Sequence, residues 1–118
     1  MRALGRHLLI DLYDGDPEIL DDAQAIERLM VEAAEVADAT VIHTAFHQFS
    51  PKGVSGVVVV QESHLAIHTW PEWGFAAIDI FTCGDQMAPW RACDYLQKAL
   101  KAARRSTREI DRGVGIGE

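Results

Sequence analysis

Glu62, Ser63, His64, His68, Trp70, Pro71 and Glu72 all fall between residues 61 and 74. An acid stands directly before a hydroxyl, and two imidazoles and a second carboxylate follow at once. A serine hydroxyl is a weak nucleophile, so chemistry at Ser63 needs a base or a well-oriented carbonyl. Ser63 and His64 cannot be a nucleophile–base pair in extended chain, because adjacent residues of a strand point to opposite faces. No GxSxG elbow is present. His43, His47 and His64, with Cys83, are metal-ligating types, but their spacing matches no ligand pattern, and no metal is expected. Taken singly, the other candidates have ordinary readings. His68 suits a core or surface position, Trp70-Pro71-Glu72 a turn, and Phe49, Trp70, Phe75 and Phe81 a core. Cys83 suits a small buried hydrophobe.

The valine run Val57–Val60 leads into this stretch, and the apolar run Phe75–Phe81 leads out of it. The polar residues therefore sit where two strand-like runs meet, a place where a scaffold can hold reactive groups rigidly. Before them, residues 6–13 read as a first strand, continuous enough in apolar character to be central. Asp16 and Pro17 read as the cap and first position of a helix. Its apolar residues recur at three and four from Ile19 to Val36, giving one long amphipathic helix over 17–37 with Asp21-Asp22 as its weak point. Residues 39–49 form a second strand, with Val41, His43, Ala45 and His47 on one side and Ile42, Thr44, Phe46 and Gln48 on the other. After a turn at 50–53 come strands at 54–61, 65–70 and 75–82. A loop at 84–87 precedes a second amphipathic helix over 88–103. Its Trp90, Cys93, Leu96, Leu100 and Ala103 share one face. Residues 106–110 read as a last edge strand, and the glycine-rich tail from Gly113 carries no packing pattern.

The order β-α-β-β-β-β-α-β predicts an α+β fold, an antiparallel sheet with two helices on one face. Several strands are apolar on both faces, so a second copy is expected to cover the other face, sheet pairing with sheet in a homodimer.

At 118 residues the chain is expected to be one domain. Its apolar fraction of 48% and charged fraction of 25% are those of an ordinary globule. A net charge of -7 argues against nucleic acid as a partner, since binding to that backbone rests on clustered basic residues. The basic stretch from Lys98 to Arg105, with Arg108, reads as a solvated face. The two cysteines, Cys83 and Cys93, lack the paired spacing of a zinc site. The first residues do not look like a signal peptide, and no run approaches 18 apolar residues. A cytoplasmic protein with two free thiols and no membrane partner is expected.

In combination the residues say more. Glu62-Ser63-His64, then His68-Thr69-Trp70-Pro71-Glu72, then Phe81-Thr82-Cys83-Gly84 closely resembles the bacterial S-adenosylmethionine decarboxylase proenzymes. The likeness extends to Leu4-Gly5-Arg6-His7, to Phe46-His47 and Phe49 before Gly53-Val54-Ser55-Gly56, and to Pro89-Trp90. It covers nearly the whole chain and is weakest in the last residues.

The resemblance implies a self-made cofactor. The Ser63 hydroxyl would attack the Glu62 carbonyl, turning the peptide bond into an ester, with Ser55 holding the tetrahedral intermediate. His68 would remove the Ser63 α-proton, and elimination would split the chain into 1–62 and 63–118. Hydrolysis would leave a pyruvoyl group at the new N-terminus. That carbonyl would form a Schiff base with the substrate amine and act as electron sink for loss of CO2. By the same resemblance Cys83 is the acid that protonates the α-carbon, Glu72 accepts from the ribose hydroxyls, Phe49 stacks on adenine, and Glu62 lies near the substrate. The resemblance also implies a site shared between two protomers of a homodimer and a product that is the aminopropyl donor of spermidine biosynthesis.

Two other readings stand beside this one. Self-processing needs only Ser55, Ser63 and His68, so a pyruvoyl decarboxylase of a basic amino acid, arginine or ornithine, would carry the same set. Phe49 and Glu72 favour a nucleoside substrate. An uncleaved binding module would keep the fold without the chemistry and run as one intact chain.

Overall fold

The expected strands form a single six-stranded sheet in the order β2-β3-β4-β5-β1-β6. The computed structural model describes residues 3–84 and 87–116. The strands are β1 (Gly5–Tyr13), β2 (Val41–Gln48), β3 (Val54–Val60), β4 (Ser63–Trp70), β5 (Phe75–Cys83) and β6 (Arg104–Arg112). Every neighbouring pair is antiparallel. β1 is interior, as its apolar run predicts, between β5 and β6. The last strand runs further than 106–110, because it pairs along the whole of β1.

One face of the sheet is the core. Leu8, Ile10 and Leu12 of β1, Val54, Val58 and Val60 of β3, Leu65 and Ile67 of β4, and Ala76, Ile78 and Ile80 of β5 are all buried. They meet Ile26, Leu29, Met30, Ala33 and Ala34 of α2 (Ala23–Val36) and Ala92, Cys93 and Leu96 of α3 (Pro89–Ala99). Apolar area removed from water on this face is the main stabilising term. The alternation of buried and half-buried residues along β1 and β5 leaves the second face without a helix over it. The expected α+β fold with both main helices on one face is thus the observed one.

The helix expected over 17–37 is two helices, α1 (Pro17–Leu20) and α2, with the break at Asp21-Asp22. Asp16 caps the first by accepting from the Glu18 and Ile19 amides. Asp22 caps the second through Gln24 and Ala25. Aspartate prefers such a cap to a helix interior, so a second cap inside the sequence stops one helix and starts the next. The final helix stops at Ala99, short of 103, because Lys101 turns the chain at φ 57 and the Ala103 amide already bonds Tyr13 O. Trp90 and Ala103 therefore leave the buried stripe. Trp90 lies outside the core and donates Nε1–H to Glu109.

β2 departs from the expected alternation. The register slips between Val41 and His43, so Val41 pairs with Val60 while His43 pairs with Val59. Ile42 is bulged out and 62% exposed. Val41 thus faces the helices with Thr44, Phe46 and Gln48, and His43, Ala45 and His47 face the open side.

The expected loop at 84–87 lies partly outside the described residues, as does the end of the tail. Its beginning is tied down, since the Leu4 amide donates to Gly113 O at 3.3 Å. Among the described residues no helix is long and apolar enough to cross a membrane.

Candidate active site

The stretch 61–74 is not one cluster. β3 and β4 form a hairpin whose two-residue loop is Gln61-Glu62, and β4 then carries the chain to a 3-10 turn at Pro71–Trp73. Glu62 and Ser63 sit at one end of β4; His68 and Glu72 belong to the other.

At the first end, Glu62 has φ 67, the left-handed region. A side chain there crowds the backbone and costs about 1–2 kcal/mol. Glu62 is the second loop residue and the only one of the two with a positive φ, unlike the primed turns that best suit two-residue hairpins, which require a positive φ at the first. Ser63 Oγ donates to the Glu62 carbonyl oxygen at 2.6 Å. The same Oγ accepts from the Cys83 amide at 3.3 Å. The hydroxyl is therefore held against the carbonyl of the residue before it, in a turn that already bears strain. Cys83 ends β5 as a half-buried free thiol. Beside it, Phe81 lies between His64, stacked at 5.8 Å, and His7, edge-on at 5.6 Å.

At the other end, Ser55 of β3 and His68 of β4 are register partners. Ser55 Oγ lies 2.7 Å from His68 Nδ1. If Nδ1–H is the donor, Nε2 keeps its lone pair and is free to act as a base. A hollow of about 260 Å³ opens here, lined by Phe49, Lys52, Gly53, Ser55, His68, Thr69, Trp70 and Glu72. It contains none of Glu62, Ser63 and Cys83. His47 meets Phe49 edge-on at 4.6 Å. Beneath the hollow the buried Thr69 hydroxyl donates to Leu20 O at 2.7 Å and accepts from the Val54 amide at 2.9 Å, which seats β4 and β3 on α1.

The two ends are far apart. Ser63 and His68 are five residues distant on one strand, about 17 Å at roughly 3.3 Å per residue. Neither side chain spans that gap, so within one copy His68 cannot reach the Ser63 α-proton. Phe49, Ser55, His68 and Glu72 form one group; Glu62, Ser63 and Cys83 form another.

The weighed metal set does not assemble. His43 and His64 flank Val59 on neighbouring strands, and His47 lies one hairpin end away beside Ser55. Among the described residues no three His, Cys, Asp or Glu side chains converge to hold an ion. A larger hollow of about 430 Å³ lies at the end of α3, lined by Asp94, Gln97, Lys98, Lys101 and Ala102. It carries none of the site residues.

Sequence reasoning did not single out Thr69 as a support, nor the open-face chain of Arg112, His7 and Asp79. Arg112 Nη1 is 3.4 Å from His7 Nδ1, and His7 Nε2 is 3.5 Å from Asp79. Arg112 is 107 positions from Gly5, its β1 partner, and only the sheet order brings them together.

The family model for S-adenosylmethionine decarboxylase matches residues 6–113. The chain belongs to that family. It is 55% identical over 114 residues to the S-adenosylmethionine decarboxylase proenzyme of Caldicellulosiruptor saccharolyticus, covering 97% of this chain and 92% of the relative. It is 53% identical over 122 residues to the proenzyme of Thermotoga petrophila, covering 100% and 94%. The crystal structure of the adenosylmethionine decarboxylase from Aquifex aeolicus superposes with a TM-score of 0.91 at 38% identity, covering 100% of this chain and 98% of that one. A Trypanosoma brucei AdoMetDC structure shares the fold at a TM-score of 0.65 and 20% identity, with 44% of its chain covered. The resemblance drawn from the motifs between Leu4 and Trp90, over nearly the whole chain, is therefore matched by the comparisons.

Proposed function

We propose that this chain is a self-processing, pyruvoyl-dependent S-adenosylmethionine decarboxylase that works as a homodimer of cleaved protomers. Glu62, Ser63 and Cys83 of one copy would meet Phe49, Ser55, His68 and Glu72 of the other. The observation that carries this reading is the hydroxyl of Ser63 lying 2.6 Å from the carbonyl oxygen of a left-handed Glu62.

Processing follows from that geometry. Ser63 Oγ attacks the Glu62 carbonyl carbon, and its proton passes to the departing amide nitrogen. The peptide bond becomes an ester. Left-handed strain at Glu62 raises the ground state and is relieved when the chain parts. The Ser55 hydroxyl of the partner donates to the developing oxyanion. The partner's His68, oriented through Nδ1, then takes the Ser63 α-proton at Nε2. The Ser63 Cβ–Oγ bond breaks, and Glu62 leaves as a carboxylate that carries Oγ. Water completes the conversion, with release of ammonia. Residues 1–62 and 63–118 result.

The residues present fit the group they would make, because Ser63 opens β4 with its backbone paired and its Oγ accepts from the Cys83 backbone amide. When formed, the pyruvoyl group supplies an electron sink for loss of the substrate carboxylate. Cys83 would hold the proton returned to the α-carbon. Glu72 offers two oxygens to the ribose hydroxyls. Phe49 offers a ring face to adenine.

Two features support a shared site. The hollow of about 260 Å³ is smaller than the roughly 300–1,000 Å³ of an ordinary ligand pocket, as half a site would be. Ser55, His68 and Cys83 lie on the uncovered sheet face, and Ser63, in phase with the buried Leu65 and Ile67, opens β4 at its end, so a two-fold pairing of such faces would set the Ser63 end of one copy over the His68 end of the other. Family membership favours S-adenosylmethionine over arginine or ornithine, and with it supply of the aminopropyl group for spermidine. We place the enzyme in the cytoplasm on its two free thiols.

Denaturing mass spectrometry of the purified protein, beside Ser63→Ala, tests the processing. Two fragments divided at Glu62, one bearing a ketone at its start, are expected. One intact chain in the wild type returns the uncleaved binding module. Release of CO2 from S-adenosylmethionine, with arginine and ornithine as controls, tests the substrate.

A further inference from the structure

The break between α1 and α2 does more than change the chain's direction. Asp21 sits in it, just after α1 and one residue before the Asp22 cap. Its Oδ1 accepts from the Gly53 amide at 2.9 Å and from Gln48 Nε2 at 3.2 Å. Gln48 Nε2 also donates to Gly53 O at 3.1 Å, and Gln48 Oε1 accepts from the Ala23 amide at 3.0 Å. The side-chain amide thus uses its acceptor and its donors at once. Its orientation follows from the partners, because a carboxylate and a carbonyl only accept and an amide N–H only donates.

What this hub holds is the turn 49–53. The turn closes through the Phe49 amide donating to Gly53 O at 2.8 Å. It brings Phe49 and Lys52 to the hollow beside Glu72 and leads into Ser55. Gly53 stands at φ +106, and a Cβ there would fall 3.1 Å from Thr69 O. A side chain at Gly53 is therefore excluded, and the turn is fixed from outside by Asp21 and Gln48. Asp21 lines a separate hollow with Pro17, Glu18, Lys52 and Pro71, and is not among the residues lining the hollow that holds Phe49 and Glu72.

We propose that Asp21, acting through Gln48 and the Gly53 amide, is a positioning residue for the nucleoside half of the site. The inference rests on the decarboxylase reading and on Phe49 and Glu72 as nucleoside contacts. Neither Asp21 nor Gln48 touches substrate. Together they fix the distance between the Phe49 ring and the Glu72 carboxylate. A turn left free must be ordered at the moment of binding, and that cost falls on affinity. Bond breaking takes place at the Ser63 end, supplied by the other copy, and does not pass through this turn. Removing the hub therefore weakens nucleoside binding and spares turnover.

The test is steady-state decarboxylation of S-adenosylmethionine by the processed wild type, Asp21→Ala, Asp21→Asn and Gln48→Glu. Beside it, each protein's affinity is measured for a 5′-thioadenosine nucleoside that lacks the amino-acid half. In Asp21→Ala the KM and the nucleoside Kd both rise about tenfold, the loss of a charge-assisted bond, while kcat stays within about twofold. Asp21→Asn keeps an acceptor for the Gly53 amide and recovers most of the affinity. Gln48→Glu conserves size at the edge of the sheet and sets a carboxylate against Asp21 and Gly53 O. It reproduces the loss and keeps the inference testable if Asp21→Ala does not fold. Folded variants with unchanged KM and Kd overturn the inference, as does a fall in kcat with Kd unmoved. A wild type that processes and binds the nucleoside but releases no CO2 overturns the decarboxylase reading instead.

Discussion

Ser55 and His68 face one another across β3 and β4 with Oγ and Nδ1 2.7 Å apart, at the opposite end of β4 from Ser63. On the shared-site proposal, a histidine so placed would serve a serine on another chain and not its own. His68→Ala alone is expected to stay uncleaved, and Ser63→Ala alone cannot cleave. Co-expressed, the two form mixed dimers in which the Ser63→Ala chain lends its His68 to the His68→Ala chain. Distinguishable tags and a denaturing gel then show cleavage in the His68→Ala chain only. No cleavage in the mixture would mean that processing draws on one chain alone.

The left-handed Glu62 makes a second prediction, on stability. In the uncleavable Ser63→Ala background, Glu62→Gly removes a penalty of about 1–2 kcal/mol and adds unfolded-state entropy of about 0.4–1 kcal/mol. The melting temperature is expected to rise slightly. Glu62→Val, β-branched at the same φ, is expected to lower it. With Ser63 restored, Glu62→Gly processes more slowly than the wild type, because less strain is released. A thermal melt and a gel time course check the two halves separately.

Much of this was legible in the residues. β-branched and aromatic runs marked the strands, and Asp16-Pro17 marked the first helix start. The family was legible through its motifs, and with it the candidate site residues. Their grouping was not. Ser55 meets His68 only because the hairpin turns at Gln61-Glu62. Placing β3 through Gln61 and starting β4 at Leu65 blurs that turn, and with it every cross-strand partner. The bulge at Ile42 was hidden for a related reason: an extra residue leaves an alternating pattern that looks plausible on either side of it. The Asp21–Gln48 hub joins positions 27 apart through side chains, which no local pattern encodes.

Gly56 offers a test of packing next to the site. The Phe46 ring lies over it, and a Cβ built there would fall 1.9 Å from Phe46 Cδ2. Gly56→Ala must push the ring off the helix-side core. A loss of about 1–3 kcal/mol is expected, read as a lower urea midpoint with an unchanged slope. Because Gly56 adjoins Ser55, processing slows as well. Phe46→Leu in the Gly56→Ala background makes room and recovers part of the stability.

Tyr95 of α3 donates its hydroxyl to Glu32 of α2 and couples the two helices. Burial, and then the bond to Glu32, push its pKa from 10.0 up to about 12. The folded chain therefore holds this proton more tightly than the unfolded chain does. The resulting stabilisation is whole below pH 10 and is lost as pH climbs towards 12. In Tyr95→Phe that part of the alkaline loss is absent, so its stability falls less steeply across the window. At neutral pH the variant is less stable by about 1 kcal/mol, because Glu32 loses its donor. Absorbance at 295 nm against pH, beside urea melts at pH 8 and pH 11, measures both effects. A tyrosinate signal complete by pH 10.5 in the folded wild type would show that Glu32 does not hold this proton.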